Sequence, residues 1–93
     1  MVYLKDLIGK ENKQLKYKFK DVNASVLYAK GFVALDLYGK DITVGKILDN
    51  FVKLNGRIKE TDVVLGIDHS FEGFHDEIWI SHEDDDIVVI SDL

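Results

Sequence analysis

The chain contains neither cysteine nor proline among its 93 residues. Without cysteine it can form no disulfide, no thiolate metal site and no cysteine nucleophile. Without proline, its sheet edges lack one common protection against edge-to-edge pairing, so charged side chains have to provide it. No apolar run approaches the roughly 20 residues of a transmembrane helix, and residues 1–10 lack the pattern of a signal peptide. We therefore expect a cytoplasmic protein without membrane contact.

Lysine and arginine are absent after Lys59, whereas residues 61–93 contain ten acidic residues. Residues 1–30 carry seven lysines and three acidic residues, and the net charge of the whole chain is −5. Such sorting of charge along a chain is typical of a surface that binds a charged partner. The alternative is that the basic early strands lie beside the acidic late strands and neutralise them within the fold.

The apolar pattern predicts a single domain, residues 1–93, of the α+β class. Six segments have the composition and alternation of strands, namely 14–20, 25–29, 32–38, 62–67, 77–81 and 87–91. One main helix is expected over about 43–55, and a short N-terminal helix over 3–8. We expect an antiparallel sheet of five or six strands packed against the main helix, with the acidic stretch 82–86 as a hairpin loop.

The main helix has recognisable signals at both ends. Thr43 is a suitable N-cap residue, and Ile42 and Ile47 have the spacing of a hydrophobic staple. The dipeptide Asn55-Gly56 can end the helix. The same dipeptide is also a strong hairpin signal, so a hairpin around it is the competing interpretation. The helical pattern has more matching positions, and we expect the helix.

Basic and apolar side chains alternate along 14–20, which indicates a half-buried strand with a basic outer face. Its outward lysines are Lys16, Lys18 and Lys20. Several such charges in register are what phosphate contact requires. The aromatic Tyr17 and Phe19 point to the opposite face, where they pack into a core instead of stacking on bases. With the acidic surplus of the chain, this argues against direct binding of nucleic acid.

Signals for catalysis or metal binding are weak. His69, His75 and His82 each lie beside an acidic residue, but their spacing matches no compact metal-ligand pattern. The run Glu83 to Asp86 lacks the spaced oxygen ligands and the glycine of a calcium loop. No phosphate-binding loop, dinucleotide pattern or nucleophile elbow occurs. We therefore expect no enzyme activity, no metal and no cofactor.

The acidic third is the strongest functional signal. We expect it to bind a basic protein surface, one that normally holds nucleic acid, through carboxylates that imitate phosphate charge. Small acidic inhibitors from phages and mobile elements, including anti-CRISPR and anti-restriction proteins, work in this way in several folds. The expected contact residues, with two aromatic anchors at the end, are Asp76, Glu77, Glu83, Asp84, Asp85, Asp86, Phe74 and Trp79.

Two other functions stay open from the sequence. The first is a self-associating structural or adaptor protein, in which the basic strand of one chain meets the acidic strands of another. The second is a metal-dependent enzyme that uses the histidine and carboxylate cluster. We expect a monomer or a homodimer, because repulsion within the acidic third opposes an open polymer. Trp79, flanked by two isoleucines, has a core position as its competing interpretation.

Overall fold

The computed structural model describes residues 1–18, 25–36, 42–68 and 73–92. Phe19 and Lys20 of the basic strand, the end of segment 32–38 and His69 lie outside these residues. The described elements, in chain order, are β1 Val2–Tyr3, a 3₁₀ helix Leu4–Leu7, β2 Gln14–Lys18, β3 Ser25–Ala29, β4 Phe32–Asp36, β5 Ile42–Thr43, α1 Val44–Asn55, β6 Val63–Asp68, β7 Gly73–His75, β8 Ile78–Glu83 and β9 Ile87–Asp92.

The strands form two mixed sheets. The first sheet has the order β1-β6-β4-β3, and β7 also pairs with β6; the second has the order β5-β2-β9-β8. Two pairs are parallel, β4 with β6 and β2 with β9. The α+β class is confirmed, but the expected antiparallel sheet of five or six strands is wrong, because the described residues form nine strands in two mixed sheets. Helix α1 lies in the connection from β4 to β6, and such a crossover returns the chain in the same direction.

Helix α1 begins and ends near the predicted positions. The backbone N–H of Lys46 donates to Oγ1 of Thr43 at 3.2 Å, which confirms Thr43 as the N-cap. Gly56 follows the helix with φ of 85°, and its N–H donates to the carbonyl of Val52 at 2.7 Å. The competing hairpin around Asn55-Gly56 is therefore wrong.

The hydrophobic core lies between the two sheets and the helix. Helix α1 contributes Val44, Ile47, Leu48 and Phe51. The inner faces of the sheets and the 3₁₀ helix supply most of the remaining buried side chains, among them Leu4, Leu7, Leu15, Val33, Val64, Ile78, Val88 and Ile90. The predicted short N-terminal helix is present at the expected place, and the structure shows it to be a 3₁₀ helix with two buried leucines.

Strand alternation is confirmed where the sequence pattern was clean. In β2, Leu15 is buried and Tyr17 packs against the core, while Lys16 is exposed. The tight turn between β3 and β4 contains Gly31 with φ of 87°. The six predicted strand segments did not include Gly73–His75, which is a strand, and β8 extends beyond the predicted 77–81 to Glu83. The loop before β9 is therefore shorter than the predicted 82–86.

Candidate protein-binding surface

Strand β8 is the terminal strand of the second sheet, and its side chains alternate between core and solvent. Ile78 is buried and Ile80 packs against the core. Trp79 lies between them and points outward, with 41% of its surface exposed. A core position for Trp79 is therefore wrong, because the two isoleucines occupy the inner face on either side of it.

A β-bulge interrupts the pairing of β8 with β9 at Ser81. The register moves from Ile80 opposite Ile90 to His82 opposite Val89, so Ser81 is the extra residue. Its hydroxyl lies 3.3 Å from the carbonyl of Val89 and 2.7 Å from Oγ of Ser91. A bulge increases local twist and disfavours pairing of an edge strand with another chain. The outer side of β8 is therefore better suited to contacts through its side chains than to backbone pairing with a strand of another chain.

The expected acidic residues form two groups instead of one continuous surface. Asp76 and Glu77 precede β8, whereas Asp84, Asp85 and Asp86 follow it, and all five are exposed. A strand of six residues spans about 20 Å. Strand β8, with the outward Trp79, therefore separates the two groups.

Glu83 at the end of β8 is neutralised by the N-terminal part of the chain. One carboxylate oxygen pairs with Nζ of Lys10, and the other accepts from Nζ of Lys13 at 2.7 Å. Hydrogen bonds from Lys10 and then Lys13 hold the pKa of Glu83 below its ordinary value of 4.5. For this residue the intramolecular neutralisation considered from the sequence is correct, and Glu83 is not available as a free charge.

Asp84 is used to build the loop between β8 and β9. Its Oδ1 accepts the backbone N–H groups of Asp86 at 2.8 Å and Ile87 at 2.9 Å. Its Oδ2 lies 3.2 Å from Nε2 of His82. The two backbone hydrogen bonds, followed by the contact with His82, lower the pKa of Asp84. Asp84 therefore keeps its charge but has a structural task, which the sequence did not indicate.

Four of the predicted carboxylates have no ion pair among the residues that the structure describes. Asp76 and Glu77 on one side of β8, and Asp85 and Asp86 on the other, have no ion pair with any cation in the described ranges. We call these four residues together with Trp79 the β8 surface.

Phe74, the other expected anchor, belongs to the first sheet. It lies on β7 with 49% of its surface exposed, and its ring centroid is 5.3 Å from that of Phe32 on β4. Phe74 pairs opposite Ile67 of β6, whereas Trp79 pairs opposite Ser91 of β9. The structure therefore separates the two aromatic anchors between different sheets.

The remaining candidates do not converge. His75 lies on β7 and the exposed His82 on β8, and no group of three or more potential metal ligands occurs among the residues that the structure describes. The basic strand β2 lies between β5 and β9 of its own chain. In the described part of the chain, no helix has the length and apolar character needed to cross a bilayer.

Sequence reasoning missed the cations that hold Glu83. Lys10 and Lys13 lie more than sixty positions from it in sequence, in the loop before β2. No local pattern indicates such a pair, because the parallel alignment of β2 with β9 is what brings these segments together. Comparison with known proteins adds no further indication, since no protein-family model, curated protein or solved structure matches this chain.

Proposed function

We propose that the chain is a small acidic binding protein without enzyme activity, which inhibits a partner by occupying its basic, nucleic-acid-binding surface. The observation that supports this proposal is the β8 surface, in which an outward tryptophan lies between two pairs of carboxylates that have no ion pair among the described residues. Phage-encoded and mobile-element inhibitors, of the anti-CRISPR and anti-restriction kind, are the class of protein with this combination of small size and acidic surface.

The two kinds of residue in the β8 surface have separate tasks in binding. Trp79 supplies a large apolar contact, and tryptophan is among the residues that most often dominate interface energies. Its indole also attracts the guanidinium groups that line a phosphate-binding channel. The surrounding carboxylates steer a basic partner toward it, which raises the association rate more than the final affinity.

The geometry of the carboxylates suits a surface built for a polyanion. The two pairs lie at opposite ends of a strand about 20 Å long, so they meet cations that are spread along a channel rather than a single cation. These carboxylates have no ion pair with a described cation of their own chain, so binding breaks no ion pair among the described residues. Glu83 and Asp84 are excluded from this task by their internal contacts.

The backbone hydrogen bonds of Asp84 decide which variants can test charge imitation. Neutralising Asp84 would disturb the loop, so the informative variants are Asp85→Asn with Asp86→Asn, and Asp76→Asn with Glu77→Gln. Asp49→Asn on the exposed side of α1 is a matched control, because it removes one carboxylate outside the β8 surface. Each protein would be immobilised to capture the partner from the native host, followed by binding kinetics over a salt series.

We expect both double variants to associate more slowly and with a shallower salt dependence, whereas Trp79→Ala should mainly increase the dissociation rate. Nucleic acid should compete with the wild-type protein for the captured partner. Unchanged affinity of both double variants across the salt series, without competition by nucleic acid, would show that charge imitation is not the mechanism.

A further inference from the structure

Lys16 and Trp79 lie on the same face of the second sheet. Ile90 is buried in the core, so Val89 and Ser91, on either side of it in β9, point to the opposite face. Lys16 of β2 pairs with Val89, and Trp79 of β8 pairs with Ser91. The strands β2 and β8 are neighbours of β9 on its two sides, which places their backbones about 10 Å apart.

The middle strand of this face contributes little accessible surface. Val89 is 6% exposed and Ser91 is 9% exposed, whereas Trp79 is 41% exposed. Lys16 is exposed as well, and it has no ion pair within the described part of the chain. A partner that contacts the β8 surface therefore also meets a positive charge on β2.

The negative charge of the β8 surface forms a single row. Its two carboxylate pairs lie at the two ends of β8, so the row is about 20 Å long. Toward β2 the charge changes sign, because Lys10 and Lys13 hold Glu83 and because Lys16 follows on β2. Strand β2 contains no acidic residue, so it supplies no second negative row.

Double-stranded and single-stranded nucleic acid present their charge in different ways. A duplex has two phosphate rows, separated by grooves about 6 Å and about 12 Å wide, and its bases are stacked inside. A single strand has one row, and its base faces are open to aromatic and arginine side chains. At about 10 Å from the carboxylate row, where imitation of a duplex requires a second anion, this chain has Lys16. Trp79 exposes an aromatic side chain within the row, as an unstacked base does.

We propose, on the basis of the proposed function, that the partner's basic surface is a groove for single-stranded nucleic acid and that the β8 surface imitates one strand in it. The carboxylate pairs take the place of phosphates, and the indole of Trp79 takes the place of a base. The partner is then a protein whose groove is one strand wide and contains an aromatic or arginine side chain on which bases stack. Lys16 lies outside that groove.

Competition by two forms of nucleic acid tests the proposal. The captured partner would be held on immobilised wild-type protein and released by a single-stranded oligothymidine or by a duplex of the same length, at one salt concentration. We expect half-release at a single-strand concentration about tenfold or more below that of the duplex, the change expected from the loss of one base-stacking contact. Equal release by both, or release by the duplex alone, would overturn the single-strand assignment and leave charge imitation in place. Release by neither would overturn the proposed function itself.

Charge reversal at Lys16 tests the width of the groove. Lys16→Glu and the matched control Lys46→Glu, on the exposed side of α1, change the net charge equally. In a groove for one strand Lys16 faces no second row of cations, so both variants should associate with the partner at rates that agree within about twofold. A duplex channel would place cations opposite position 16. Association of Lys16→Glu well above that of Lys46→Glu would therefore contradict the proposal.

Substitutions of Trp79 separate stacking from apolar burial. Trp79→Phe keeps an aromatic ring, whereas Trp79→Leu keeps only an apolar side chain, and urea unfolding of both variants checks that they are folded. We expect Trp79→Leu to dissociate from the partner about tenfold faster than Trp79→Phe, because only the ring can stack on the groove's aromatic or arginine side chain. Equal dissociation rates would show that the indole fills an apolar pocket, and imitation of a base would be ruled out.

Discussion

The imidazole of His75 lies so close to Gly66 that a Cβ atom added to the glycine would be 2.6 Å from Nε2 of the histidine. The two residues are direct partners in the pairing of β7 with β6. An alanine at position 66 would therefore force the neighbouring ring to move, whereas the backbone angles at this position do not require glycine. The same pairing places Phe74 opposite Ile67 at the side of β6.

Gly66→Ala should destabilise the protein by about 1 kcal/mol or more, because the added methyl group forces the ring out of its position. Urea unfolding of the wild type and the variant measures the difference. Combining Gly66→Ala with His75→Ala should cost less than the sum of the single variants, since the ring is then absent. Equal urea midpoints for Gly66→Ala and wild type would contradict this interpretation.

Thr43→Ala should lower the free energy of unfolding by about 1 kcal/mol through loss of the helix N-cap. The side chain of Thr43 accepts the N–H of Lys46, which would otherwise lack an intrahelical partner. Thr43→Ser keeps an accepting oxygen at the same place and should retain most of the stability. Equal free energies of unfolding for Thr43→Ala and Thr43→Ser, measured by thermal or urea unfolding, would argue against the cap.

Asn55→Ala should destabilise the protein by about 1–3 kcal/mol. The side chain of Asn55 joins the end of α1 to the turn between β3 and β4. Its Oδ1 accepts the N–H of Gly31 at 3.1 Å, and its Nδ2 donates to the carbonyls of Ala29 at 3.0 Å and Phe51 at 3.1 Å. The matched comparison is Asn50→Ala, which loses a single hydrogen bond to Tyr28. Urea unfolding should show the larger loss at position 55.

Acid should weaken the junction between the N-terminal loop and the end of β8. Since the pKa of Glu83 is lower in the folded chain than its ordinary value of 4.5, its contribution is present above that value and is lost as the pH falls through the folded pKa. Urea unfolding between pH 6 and pH 3 should show a smaller decline for Glu83→Gln than for wild type. Glu77→Gln is the control, since Glu77 has no ion pair among the described residues, and an equal decline in Glu83→Gln and wild type would contradict the assignment.

Local features of the fold were predictable because a few neighbouring residues determine them. Thr43 and the helical spacing from Val44 to Phe51 define α1, and the turn at Gly31 joins β3 to β4. The outward position of Trp79 also has a local reason, since Ile78 and Ile80 together bury more apolar surface than the single indole. Whether Trp79 or the two isoleucines face inward nevertheless depends on which side of β8 the core lies.

The parallel pairings and the division of the acidic residues could not be predicted in the same way. Alternation shows that 14–18 forms a strand but does not show that its neighbour is 87–91. Asp76 and Asp86 are close in sequence, yet a whole strand separates them in space. Proximity along the chain was therefore a poor guide to a common surface.

The pairing of Gln14 with Ile87 affects the order in which the molecule assembles during synthesis. At about 5–20 residues per second, a ribosome makes β9 about 4–15 s after it makes β2. During that interval one edge of β2 lacks its neighbouring strand β9, and the core that buries Leu15 is incomplete. Contacts over such distances in sequence are slow to form. Strand β2 carries charge during this interval because Lys16 and Lys18 alternate with its apolar residues. These charges reduce its tendency to pair with another nascent chain.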